Sequence, residues 1–209
     1  VMAFMMLVMI FMILPRASVS ARRIGEVLDT RPAVVDGKRT DGEAGKTGEV
    51  EFQNVSFHYP DAEESVLQGI TFTAHKGETV ALIGSTGCGK STVINLIPRF
   101  YDATGGRVLV DGVDVRDYDQ KALRNKIGYV SQKATLFTGT IRSNVAYGDN
   151  GRPSPSDSEV KAAVATAQAS DFVENMDGKY DGYVSQGGTN LSGGQKQRIS
   201  IARAVARKP

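Results

Sequence analysis

Gly84-Ser85-Thr86-Gly87-Cys88-Gly89-Lys90-Ser91 is the stretch on which the reading of this chain turns, and it fits G-x-x-x-x-G-K-[ST] at every position. Thr79-Val80-Ala81-Leu82-Ile83 runs straight into it. That run is short, apolar and β-branched, as a strand buried on both faces of a parallel sheet reads. Thr92 to Ile97 leaves the loop as a predicted helix, with Pro98 as its stop. Strand, glycine-rich loop and helix together make the pattern a phosphate site. The glycines let the backbone turn tightly and come close to an anion. The loop N–H groups then point inward as a nest, and the helix N-terminus adds partial positive charge. In such a site Lys90 reaches the β- and γ-phosphates of a nucleotide, and the Ser91 hydroxyl is a ligand for Mg²⁺.

The 209 residues allow one or two domains, and 41% hydrophobic content is enough for a sizeable core. A net charge of +2 is too near balance to indicate a nucleic-acid partner. The single cysteine, Cys88, cannot form an internal disulfide and fits a reducing compartment. In the loop it reads as a small filler at a free position.

At the other end, Val1 to Leu14 carries no polar or charged side chain. It is shorter than the ~20 residues that span a bilayer. It reads as the end of a transmembrane helix whose beginning lies outside the sequence, and Arg16, Arg22 and Arg23 mark a cytoplasmic flank. A secretory signal and a buried core helix remain alternatives. Against the first, the basic segment lies on the wrong side. Against the second, core helices usually keep one polar face. Ile24, Val27 and Leu28 keep helical spacing, so residues 1–28 are expected as the membrane helix and its extension. Residues 29–48 are polar and glycine-rich and are expected as an exposed connector. Residues 49–209 are expected as the nucleotide-binding domain. Both ends are expected to be cut, since the chain opens on Val1 and closes on Pro209 directly after a helical stretch.

Within the soluble part, Val50 and Phe52, then Val55, Phe57 and Tyr59, alternate with polar residues, with a slip near Gln53-Asn54 that predicts a bulge. Ile70 to Ala74, Arg107 to Val110 and Ile127 to Val130 read as further strands, the second closed by an Asp111-Gly112 turn and the last ending at Ser131-Gln132. Glu159 to Ala169 reads as a helix capped by Ser156 or Ser158.

A second motif, Leu191-Ser192-Gly193-Gly194-Gln195, stands before the basic, apolar-faced helix Lys196 to Arg207. Ser192 is placed as its N-cap, and Gly193-Gly194 bare the backbone N–H groups. By residue chemistry alone this is either a second anion site or an ordinary glycine-opened helix.

Taken with the phosphate loop, LSGGQ resembles the ATP-binding-cassette (ABC) family, over about Val50 to Pro209. VLQGITFTAHKGETVALIGSTGCGKST resembles its entry strands and Walker A loop, IGYVSQ its Q-loop, and LFTGTIRSNVAYG the stretch that follows in exporter-type cassettes. An apolar span ahead of the cassette, joined by SARRIGEVLDT, is similar to a half-transporter exporter.

The resemblance implies an α/β fold, a P-loop NTPase ABC cassette that is truncated before its Walker B strand and preceded by the end of a transmembrane helix. It implies an integral membrane protein with its cassette in the cytoplasm. The activity implied is ATP hydrolysis coupled to export of a substrate, with ATP and Mg²⁺ as cofactors. The partner implied is a second half-transporter subunit, identical or different. By position, Tyr59 would stack on adenine. Gly84, Ser85, Thr86, Gly87, Cys88, Gly89, Lys90, Ser91 and Thr92 would hold the phosphates. Ser91 and Gln132 would meet Mg²⁺, and Lys90 and Gln132 would act in catalysis. Ser192, Gly193, Gly194 and Gln195 would contact the γ-phosphate of ATP held by the opposite subunit. The family's Mg²⁺-directing Asp, catalytic Glu and switch His have no counterpart here, and Glu78, Glu159 and Glu174 lie in the wrong context to replace the Glu. The 209 residues alone are therefore expected to be inactive. Val184 to Gly188 stands where many exporters carry a Gly-Glu pair. A soluble ABC ATPase outside transport is the alternative, and a P-loop kinase or GTPase is disfavoured by LSGGQ.

Overall fold

A computed structural model describes residues 1–60, 62 and 64–209. The chain divides into two units, Val1–Val35 and Asp36–Pro209.

The first unit is one helix, α1 (Met2–Asp29), with no buried residue. By length and composition it is the one helix among the described residues able to cross a membrane. At 1.5 Å per residue its 28 residues reach ~42 Å, against ~30 Å of hydrocarbon. Pro15 lies inside it.

The second unit opens on an antiparallel sheet. β1 (Val50–Phe57) pairs with β2 (Leu67–Ala74). The short helix α2 (Lys90–Leu96) follows, then β3 (Gly105–Val110) and β4 (Val113–Asp114), in the order β2-β1-β3-β4. Phe52, Val55 and Phe57 all face the core, which strict alternation would forbid. The expected bulge resolves this: Asn54 turns at φ 50° and the register jumps between Phe52 and Val55. Gly106 opposes it at φ 72°, and a Cβ there would lie 2.3 Å from the Asn54 carbonyl oxygen.

The β3–β4 turn is the expected Asp111-Gly112, at φ 52° and 79°, the double positive φ of a tight hairpin. Asp111 is buried and does more than turn the chain. Its carboxylate accepts from the Gly48 N–H at 2.7 Å and the Lys126 ammonium at 3.1 Å. Residues 36–48 are largely exposed, as expected of a connector, but are thereby held to the domain. The Gly37 N–H donates to the Tyr118 carbonyl at 2.9 Å, and Asp36 Oδ1 accepts from the Gln120 N–H at 3.1 Å. Gly37 approaches so closely that a Cβ would sit 2.1 Å from the Asp117 carbonyl oxygen.

α3 (Gln120–Asn125) is capped by Asp119 and closes the first core with Leu123, Leu96 and Tyr118. The Tyr118 hydroxyl donates to the Val110 carbonyl at 3.1 Å. Burial pushes its phenol up to about 12. The folded chain therefore keeps this proton in a range where an unfolded one, at ~10, has lost it. The stability that follows is complete below ~pH 10 and falls as pH rises towards 12. Tyr118→Phe should cost about 1 kcal/mol near neutrality through the lost hydrogen bond, and its deficit should narrow above ~pH 10. Urea midpoints at about pH 8 and pH 11 check this, and a constant deficit would contradict it.

The second core is mostly helical. β5 (Gly139–Thr140) leads into α4 (Ile141–Val145), then α5 (Asp157–Thr166), α6 (Ser170–Glu174), β6 (Tyr183–Val184) and α7 (Gly193–Ala206). Val160 and Val164 of α5 meet Ile199 and Ala202 of α7. Ser156 is the α5 cap, in a capping box with Glu159. The single helix predicted over 159–169 stops at Thr166, and α6 begins after a turn at Gln168, φ 53°.

Two predicted strands are corrected. Neither 79–83 nor 127–130 is paired among the described residues. A buried strand is made by neighbours on both edges, and here neither segment has one. Val80 is 47% and Ile83 94% exposed, so the apolar runs are present without the parallel sheet they were read into.

Candidate nucleotide site

The phosphate loop enters α2 through Gly89, at φ 89°, where a Cβ would meet Leu67 Cδ2 at 2.7 Å. Both conditions demand glycine. Lys90 folds back under the loop. Its ammonium donates to the Gly84 carbonyl at 2.9 Å and the Ser85 carbonyl at 2.6 Å, and lies 3.5 Å from Cys88 Sγ. Among the described residues it makes no ion pair, so its charge is free to meet an anion. Ser85, Thr86, Gly87 and Cys88 are exposed along the loop, and Ser91 presents an exposed hydroxyl at the first turn of α2.

Thr92 is buried one residue on, and its hydroxyl is 3.1 Å from that of Tyr59. The aromatic residue after β1 is thus tied to the helix that carries the loop. Gln132 reaches the same place by another route. With Lys90, Ser91, Asn95 and Tyr129 it lines a cavity of about 610 Å³ whose other walls are apolar, Val80, Leu82, Val93 and Ile94 among them. Tyr129, which sequence reasoning did not single out, donates to Asn95 Oδ1 at 2.9 Å. A Tyr four residues after the Asn125 that ends α3 gives no sequence signal for this.

The LSGGQ residues sit elsewhere. None of Ser192 to Gln195 lines the cavity of Lys90 and Ser91. Ser192 is the expected N-cap of α7: its hydroxyl accepts from the Gln195 N–H at 3.3 Å, and its own N–H donates to Gln195 Oε1 at 2.9 Å. That reciprocal pair satisfies two otherwise orphaned donors. Gly193 and Gly194 have open space where a Cβ would stand, and neither has a positive φ. Nothing among the described residues therefore requires glycine at either position. The two regions do meet: Gln197 of α7 donates to the Ser131 carbonyl at 3.3 Å, and Gln132 beside it lines a second cavity, of about 570 Å³, with Leu191 and Gly193.

The carboxylates weighed as a replacement base are engaged elsewhere. Glu78 accepts from the His75 N–H at 2.7 Å, and Glu174 pairs with Lys179. Glu159 is held down to about 2 by Lys208 and the Ser156 cap. No cluster of three His, Cys, Asp or Glu among the described residues could hold a metal. Ser91 and Gln132, which line the same cavity, carry neutral side-chain oxygens. That suits Mg²⁺, which takes few protein ligands and completes its shell with phosphate and water.

The family model described as "ABC transporter" matches residues 67–209. An uncharacterised ABC transporter ATP-binding protein of Bacillus subtilis is 44% identical over 202 residues, covering 96% of this chain and 34% of that protein. A putative multidrug export ATP-binding/permease protein of the same organism is 48% identical over 162 residues, covering 78% of this chain and 27% of the other. Among solved structures, a bacterial Atm1-family ABC exporter with ATP bound superposes with a TM-score of 0.83 at 37% identity, covering 98% of this chain and 35% of that one. The chain spans about a third of the length of the first curated relatives it matches, at 34% and 36%.

Proposed function

This chain belongs to the ABC transporter family, and from that premise we propose that it supplies the ATP-binding and ATP-hydrolysing cassette of an exporter. The observation that carries the reading is the convergence of Lys90, Ser91 and Gln132 on one cavity. Tyr59 is fastened beside the phosphate-loop helix.

Each residue then has a task. The Gly84–Gly89 backbone cradles the phosphates, and Lys90 exchanges loop carbonyls for phosphate oxygens, a stronger, charge-assisted pairing. Ser91 and Gln132 would hold Mg²⁺, whose chemistry there would be to offset the phosphates' negative charge. Tyr59 offers its ring to the adenine. Gln132, in the segment bonded to α7, is placed to pass the state of the site onward.

Ser192 to Gln195 complete the site of a second copy or a second half-transporter. Gly193 and Gly194 support this, because a Cβ at either would meet nothing among the described residues, which leaves room for a phosphate from outside. A two-fold pair of this kind repeats the shared site on each side. ATP shifts such a pair towards closure only by binding the closed state better, and a γ-phosphate touching both halves does that. The apolar α1 supports membrane attachment, with the cassette on the cytoplasmic side.

The test uses the full-length protein in lipid vesicles. Mg²⁺-dependent ATP hydrolysis, with ATP favoured over GTP, is expected. A strong GTP preference, or turnover unaffected by chelating Mg²⁺, would contradict the reading.

A further inference from the structure

We propose that Tyr101 is a positioning residue for nucleobase recognition, fixing the plane of the Tyr59 ring from a turn built onto the far end of the phosphate-loop helix. The proposal rests on the reading of Tyr59 as the base platform.

Tyr59 stands just beyond β1, where no strand partner among the described residues restrains it. A side chain there would wander among rotamers, and any ligand stacking on it would have to bear that ordering cost. Three contacts prevent this. The Tyr59 hydroxyl is held by Thr92 at 3.1 Å. Its ring meets Phe57 edge-on, at 4.9 Å between centroids and 84° between planes. It meets Tyr101 likewise, at 5.2 Å and 89°. Phe57 and Tyr101 also touch, at 5.6 Å, so the three rings close a triangle. Edge-to-face pairs are the arrangement that ring quadrupoles favour.

Tyr101 can act as a support because its own turn is rigid. Arg99, 4% exposed, forks onto Asp102 at 2.6 and 3.1 Å and donates to the Arg116 carbonyl at 3.2 Å. The Phe100 N–H returns to the Asn95 carbonyl at 3.1 Å. The turn therefore hangs from the end of α2. Thr92 grips Tyr59 near the start of that helix, and Tyr101 braces it from beyond the end. One helix thus sets both the phosphate cradle and the ring plane of the platform. The spacing between base and phosphates becomes a property of α2 rather than of the loop that carries Tyr59. Tyr101 is 38% exposed, and among the described residues its hydroxyl makes no hydrogen bond. The ring alone carries the contact.

The experiment compares Tyr101→Ala, Tyr101→Phe, Tyr59→Ala and the double alanine variant in the full-length protein. It reads KM and kcat for ATP and the inhibition constant of tripolyphosphate, which has the phosphates and no base. Tyr101→Ala should raise the ATP KM about 2- to 10-fold, the range of one aromatic pair, with a smaller change in kcat. Inhibition by tripolyphosphate should not move, and Tyr101→Phe should restore the wild-type KM. The double variant should be no worse than Tyr59→Ala alone, because Tyr101 acts through Tyr59. If Tyr59→Ala raises KM while Tyr101→Ala does not, or if Tyr101→Ala weakens tripolyphosphate as much as ATP, the proposal is overturned and the base platform stands. If Tyr59→Ala leaves the ATP KM unchanged, the platform reading falls and the proposal with it.

Discussion

Lys90→Ala in the full-length protein is expected to abolish ATP turnover, by at least about 10²-fold, the scale of losing one charge-stabilising donor in an active site. The loss should come from chemistry rather than from folding. Among the described residues the Lys90 ammonium hydrogen-bonds only to loop atoms: two carbonyls and one sulfur. Alanine is a good residue for the first turn of α2, so the helix should be unaffected. What disappears is a positive charge that makes no ion pair among the described residues and stands where phosphate charge would spread in the transition state. Phosphate release measures the effect, and a melting temperature near wild type separates it from unfolding. Turnover at the wild-type rate would contradict it.

Ser192→Arg is the second large expected effect. Turnover should fall more than about tenfold, while ATP binding to a single cassette stays largely intact. Part of the change is local: the Ser192–Gln195 capping box is lost, which costs about 1 kcal/mol. That part can be separated, because Ser192→Asp keeps a capping oxygen and differs in charge. If cap loss were the whole cause, Asp would behave as wild type. If the position faces a phosphate, Asp should also lose turnover, through like-charge repulsion. Equal loss of single-cassette binding in Ser192→Arg would count against the shared site.

What could be read from residue order divides along physical lines. Local chemistry was legible. The glycines of the phosphate loop, the Asp111-Gly112 turn, the bulge at Asn54 and the caps at Ser156 and Ser192 depend on a few neighbouring residues, and those residues suffice to specify them. Pairing was less legible. Thr79 to Ile83 has the composition of a buried strand, but composition does not supply the adjacent backbone that makes one. The strap of residues 36–48 was hidden for the opposite reason. Its polar, glycine-rich composition reads as a connector, while its hydrogen bonds go to Asp111, Asp117 and Tyr118, far along the chain. Within the site, motif residues could be named in advance, but their supports could not. Tyr101 and Tyr129 contribute a ring and a hydroxyl brought near by the fold, and neither belongs to a motif.

The most direct test is the distance between the two motifs in the assembled, full-length protein trapped with ATP. Ser192 to Gln195 of one copy should lie within hydrogen-bonding reach of the γ-phosphate held by the Lys90 loop of the other. Finding these four residues remote from every bound nucleotide would contradict the shared site.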